Sequence, residues 1–160
     1  MARSTNTQFA VAVHVLTYLA GIAPGRPVSS EELSRSTNVN PVYVRRVLGP
    51  LRAAGLVCSR PGPSGGWELA TDAHGITLAQ IWRLLQGTDP VLGLHGPNPT
   101  CTVGRNVQTS LTTLDHAVAD AVTTELEKHT VHDILNQGVR LEPDRVALSK
   151  HDPITPRLND

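Results

Sequence analysis

Asn40-Pro41-Val42-Tyr43-Val44-Arg45-Arg46-Val47-Leu48-Gly49-Pro50-Leu51-Arg52-Ala53-Ala54-Gly55-Leu56-Val57 reads as one helix that stops and hands the chain to a strand. An asparagine side chain accepts from the free N–H groups of a first turn, and proline at the first helical position gives up an N–H that has no partner there. Val44, Val47, Leu48 and Leu51 recur at three- and four-residue steps and form the inner face, with Tyr43, Arg45, Arg46 and Arg52 largely outside. Gly55 ends the helix, and Leu56-Val57-Cys58-Ser59-Arg60 follows as a short strand. Gly49-Pro50 works against helix stability and leaves the second half open to a kink.

Upstream, Ser29 and Glu32 have the spacing of a capping box, in which hydroxyl and carboxylate satisfy exposed N–H groups reciprocally. The short helix they start runs to about Ser36, and Thr37 to Asn40 forms a tight turn. Before it, residues 6–23 predict a buried helix with Phe9, Val13, Leu16, Leu19 and Ala20 inside, ended by Pro24, Gly25 and Pro27. Downstream, the turn cluster Pro61 to Gly66 leads into a second strand, Trp67-Glu68-Leu69-Ala70, making a β-ribbon. A helix from Thr77 to Gln86 presents Leu78, Ile81, Trp82 and Leu85. A Gly/Pro-rich loop, a long helix from about Arg105 to Lys128 and a short one from Val131 to Leu135 complete the pattern. The fold class is mostly α with a small β-hairpin: a winged helix-turn-helix domain over residues 1–87, a loop over 88–104, helices over 105–136 and a flexible tail over 137–160.

A chain of 160 residues supports one compact core with an accessory element, filled by aliphatic side chains because only 3% are aromatic. Zero net charge hides an asymmetry: residues 1–67 hold seven arginines against two glutamates, an excess of five, and the remainder is acidic by five. The basic half suits a polyanion. The longest apolar stretch, Phe9 to Ala23, is interrupted by His14, Thr17 and Tyr18 and is too short and polar for a membrane span. With no signal-peptide pattern and two cysteines, Cys58 and Cys101, cytoplasmic residence is the default expectation. No phosphate-binding glycine loop, metal-protease helix or nucleophile elbow points to an enzyme.

Two short helices joined by a tight turn, the second one basic, followed by a glycine-tipped hairpin, form the winged helix-turn-helix layout. The second helix suits the major groove of double-stranded DNA, and arginine suits both guanine and phosphate. The residues expected at DNA are Ser29, Asn40, Pro41, Tyr43, Arg45, Arg46, Arg52, Arg60, Gly65 and Gly66, the glycines because they let the ribbon approach the duplex closely. The alternative is a winged helix that serves as a protein-interaction module without operator preference.

The run from Asn40 to Val57, followed by Pro61-Gly62-Pro63-Ser64-Gly65-Gly66-Trp67-Glu68-Leu69-Ala70, resembles the Rrf-two family of bacterial winged-helix regulators, which includes iron–sulfur, nitric-oxide and cysteine-metabolism sensors. The resemblance spans roughly residues 7–135. It implies a homodimer on a partly palindromic operator, acting usually as a repressor. At matching positions Asn40, Pro41, Tyr43 and Arg45 begin the recognition helix and Arg60 serves the wing. The family's wing arginine stands directly before a glycine, whereas Pro61 follows Arg60 here, which favours phosphate contact over minor-groove insertion.

Val107, Leu111, Leu114, Val118, Val122 and Leu126 form one apolar stripe on the long helix, as expected of a dimer interface. Many members hold an iron–sulfur cluster through three cysteines of the loop, but this loop has only Cys101, so a conventional cluster is not expected and no residue is assigned as a metal ligand. Three sensing routes stay open: oxidation of Cys101 beside His95 and Arg105, a metal at His129 and His132 with a further donor, or a small molecule between Trp82, the loop and the long helix.

Overall fold

The computed structural model describes residues 5–21 and 25–140. Within them the order is α1 (Thr5–Gly21), α2 (Ser30–Thr37), α3 (Pro41–Ala53), β1 (Val57–Arg60), β2 (Gly66–Leu69), a 3-10 turn (Ala73–Gly75), α4 (Leu78–Gln86), α5 (Thr102–Leu126) and α6 (Val131–Arg140). None of these helices is long and apolar enough to cross a membrane.

Helix α1 is the pillar of the core, touching α2, α3, β2, α4 and α6. Its buried set is Val11, Ala12, Val15, Leu16 and Leu19, while Phe9, Val13 and Ala20 pack half-buried at the edge. The inner face is thus rotated from the expected one. A helix surrounded by neighbours is apolar nearly all round, so periodicity defines its face poorly. Around it close Leu33 of α2, Val44, Val47, Leu48 and Leu51 of α3, Ile81 of α4 and Val131, all essentially inaccessible.

Local chemistry sets the boundaries. Ser29 Oγ accepts from the Glu32 N–H at 3.1 Å, but the Glu32 carboxylate turns to Tyr18 and Arg26 instead, so only half of the expected capping box forms. Asn40 caps α3 by accepting from the Tyr43 N–H at 2.8 Å. Helix α3 runs through Gly49-Pro50 to Ala53 as one element. A residue preceding a helical proline clashes through its Cβ, and Gly49 has none. The helix then stops at Gly55 (φ 74°), where the Gly55 N–H donates to the Arg52 carbonyl and the Leu56 N–H to that of Leu51, both at 3.0 Å.

The wing is antiparallel, with Val57 opposite Leu69 and Arg60 opposite Gly66. It is anchored on a segment not foreseen as extended: Val28 and Trp67 exchange two backbone hydrogen bonds, at 2.9 and 2.8 Å. A Cβ on Gly66 would sit 2.6 Å from the Val28 carbonyl oxygen, and one on Gly65 would sit 2.1 Å from that of Arg60. The close approach expected of these glycines is therefore made within the chain.

The C-terminal helices depart from expectation in extent. Helix α5 starts at Thr102, inside the segment read as loop, and α6 continues to Arg140, inside the segment read as tail; residues 141–160 lie outside the described residues. Helix α6 returns to α1 and buries Val131, while the Leu78 N–H donates to the His129 carbonyl at 2.9 Å and the Val131 N–H to that of Ile76 at 3.0 Å.

Gly66→Ala should cost about 1–3 kcal/mol, the usual range for forcing an atom into packed backbone. Urea unfolding should show the lower midpoint; an unchanged midpoint would refute the close contact with Val28.

Candidate nucleic-acid interface

Burial of four aliphatic side chains on one side of α3 leaves Val42, Arg45, Arg46 and Arg52 on its exposed side. Val42 is 68% exposed, unusual for a large aliphatic side chain, and its position was not singled out from the sequence. Its exposure follows from standing one residue ahead of the buried series. Tyr43, expected outside, is only 6% exposed and joins the core, because it lies four residues before Val47 on the inner face. Among the described residues Arg46 makes neither ion pair nor hydrogen bond, whereas Arg45 lies 3.5 Å from Glu31 and Arg52 donates to Ser59 Oγ at 3.5 Å.

The unit is braced from behind. The Arg26 guanidinium donates to both oxygens of Glu32, at 3.2 and 2.7 Å, and the Tyr18 hydroxyl donates to Oε1 at 2.9 Å. These contacts tie α1 to α2. Hydrogen bonding to Arg26, followed by that to Tyr18, holds the Glu32 carboxyl below the ordinary glutamate value, while the Tyr18 hydroxyl is pushed up by burial and by its bond to Glu32.

On the wing, Arg60 is 61% exposed and its Nη2 lies 3.0 Å from the Glu68 carboxylate, which is only 12% exposed. Arg60 is thus held across the hairpin. Ser29 is half-buried and occupied as the cap of α2, and Pro41 is half-buried at the start of α3. Cys58 is exposed on β1.

The stripe on α5 splits in two. Val107 and Leu114 are 42% and 52% exposed, joined by Val103 at 71%, which the later helix start had left out. Leu111, Val118 and Val122 are half-buried. Leu126 is half-buried and packs against its own chain's core.

Cys101 is the N-cap of α5, its sulfur accepting from the Gly104 N–H at 3.4 Å. Arg105, expected beside the thiol, donates instead to the Pro99 carbonyl at 2.7 Å and to Thr102 Oγ1 at 3.3 Å. His129 precedes α6 rather than sharing its face with His132, and the His132 ring stacks on His74 with centroids 3.4 Å apart. Among the described residues no group of three His, Cys, Asp or Glu side chains could hold a metal ion.

With this geometry in place, comparison with known proteins is decisive. Residues 5–137 match the family profile of Rrf2, an iron-dependent transcriptional regulator by its description. The chain belongs to the Rrf2 family. The candidate HTH-type transcriptional regulator YwnA of Bacillus subtilis (strain 168) is 34% identical over 132 residues, covering 82% of this chain and 96% of its own. Among solved structures, a candidate transcriptional regulator from Lactobacillus plantarum superposes with a TM-score of 0.70 at 25% identity, covering 82% of this chain and 89% of that one. CymR (YrzC), the global cysteine regulator of B. subtilis, superposes at 0.61 with 26% identity, over 86% and 98% of the two chains. This Rrf2 chain is accordingly a DNA-binding transcription regulator with a winged helix-turn-helix.

The iron dependence in the family description does not fit this member's donors. A conventional iron–sulfur cluster is held by four cysteine thiolates. The chain has two cysteines in all, one of them on the wing strand and the other capping α5.

Because the Glu32 carboxyl is lowered by folding, its stabilisation is complete above the ordinary value of 4.5 and lost as pH falls through the lower folded value. The thermal midpoint should therefore fall on acidification below 4.5, and Glu32→Gln should flatten that fall while lowering the midpoint at neutral pH. An unchanged acid profile in the variant would remove Glu32 from this role.

Proposed function

We propose that this Rrf2 regulator binds a partly palindromic operator as a homodimer and represses transcription, each α3 entering a major groove. The observation that carries this reading is the single exposed face of α3, where Val42 stands beside Arg45 and Arg46. Arginine can engage guanine bidentately, and an aliphatic side chain can pack on a thymine methyl. Asn40 and Pro41 place the helix start, Arg52 and Arg60 serve phosphates on either side, and Ser29 holds the start of α2 toward the backbone. Gly66 acts by seating the wing flat on Val28, and Gly65 by letting the hairpin turn close on the Arg60 carbonyl. Tyr43 is assigned to the core.

The exposed part of the α5 stripe, centred on Val103, Val107 and Leu114, supports pairing with a second copy. An isolated helix surface of this kind is left wet in a monomer and becomes dry in a two-fold dimer. Pairing also supplies two recognition helices for half-sites about one turn apart. Cys101 supports a second reading, an oxidant response, because its thiol is exposed at the N-terminal end of the 25-residue α5. Cys101→Ser should abolish any such response; a response that persists enters elsewhere.

Arg46→Ala should weaken binding to the chain's own promoter by about 1–3 kcal/mol if the side chain reads a base. If it holds a phosphate, affinity should fall on all duplexes and the salt slope should drop by about one. Footprinting on specific and random duplexes at several salt concentrations separates these. Equal affinity of the wild-type protein for both duplexes would favour the protein-interaction alternative. Leu114→Asp should yield monomers by light scattering, and a surviving dimer would refute the α5 interface.

A further inference from the structure

A cavity of about 300 Å³ lies between α4, the chain following Gly87 and the middle of α5. Two of its lining side chains are polar and at least nine-tenths buried: Asp115 at 7% exposure and Gln86 at 9%. Asp115 Oδ1 accepts from the Leu92 N–H at 2.7 Å, leaving Oδ2 without a hydrogen bond among the described residues. Gln86 Nε2 donates to the Asp89 carbonyl at 2.7 Å, which fixes the amide's orientation and leaves its Oε1 likewise free. Neither Asp115 nor Gln86 takes part in any ion pair among the described residues; Arg83, at the rim, pairs with Glu127.

The Asp115 carboxylate thus has one neutral donor and a second oxygen open to a charged one, which bonds a carboxylate more strongly than a neutral donor does. Both residues line a space large enough for a small organic molecule. The rest of the lining is mixed: Trp82, Pro90, Val91, Leu94 and Ala119 supply an apolar side, and Arg83, Thr88, Asp89, Thr112, His116 and Thr123 are polar or charged. The Trp82 ring is fixed by an edge-to-face contact with Phe9, centroids 5.4 Å apart. Two acceptors, a negative charge and an indole wall together select a ligand that donates hydrogen bonds, carries positive charge and has a flat or short apolar body.

We propose that this cavity is a binding site for a small organic cation of the amidinium, guanidinium or primary ammonium type. Its charged end sits on Asp115 and Gln86, and its apolar body lies against Trp82. The inference concerns binding alone and does not rest on the operator reading, so failure of either leaves the other standing.

Benzamidine is the probe, with benzyl alcohol and benzoate as neutral and anionic controls of similar shape. The full chain labelled with ¹⁵N should show a saturable shift of the Trp82 indole signal, assigned through Trp67→Phe, with benzamidine and not with benzoate. Calorimetry should show benzyl alcohol binding at least about tenfold more weakly. Asp115→Asn keeps an oxygen for the Leu92 N–H while removing the charge, and should weaken benzamidine by a similar factor. Should that variant lose its fold, Ala119→Leu, which fills the cavity from the α5 side, should block binding instead. Absence of a saturable shift, equal affinity for benzamidine and benzoate, or undiminished binding in a folded variant would overturn the proposal.

Discussion

Seating Val44, Val47, Leu48 and Leu51 against α1 and α2 is the constraint on which the regulator depends. A helix turns about 100° per residue, so once four positions are committed to the core, the directions of the others are no longer free. Arg45 and Arg46 point outward because their neighbours cannot. Each of those four aliphatic side chains contributes about 1.5–3 kcal/mol by leaving water, far more than any surface ion pair of an exposed arginine. Orientation of the charged face is therefore enforced by apolar packing.

The same logic explains how the wing is positioned. A two-stranded ribbon is marginal by itself. Here Val28 pairs with Trp67, and the Trp67 indole N–H donates to Ser30 Oγ at 3.1 Å, so the hairpin is fixed to the start of α2. The pairing requires the backbones to meet at Gly66. Wing, α2 and α3 thereby move as one body, and the position of Arg60 relative to Arg46 is built into the fold.

Much of this was legible in the sequence because local rules and burial agreed. The Asn40-Pro41 start, the four-residue inner face of α3, the Gly55 stop and the hairpin all rest on short-range chemistry. What failed depended on partners remote in sequence. Val28 reads as loop until Trp67 arrives beside it. The Glu32 carboxylate was free to cap its own helix until Arg26 and Tyr18 offered stronger donors. Tyr43 reads as largely outside, while its register with Val47 places it inside. Leu126 continues a regular stripe, and the stripe drifts around a straight helix until its end meets the chain's own core. Asp115 carried no signal at all, since its burial follows from where the chain after Gly87 folds over α5.

Arg60 shows how far preorganisation extends along the wing. Drawing its guanidinium wholly away would leave Glu68, which is almost out of solvent, as an uncompensated charge. A duplex phosphate is better engaged by the exposed edge of the same guanidinium, whose planar fork carries five donors, while the carboxylate keeps its own contact. The rotamer of Arg60 is thereby already chosen in the free protein. Arg45 stands differently: Glu31 is exposed, so exchanging that carboxylate for DNA leaves it in water at little cost. The wing arginine is thus suited to a fixed backbone contact and the helix arginine to an adjustable one.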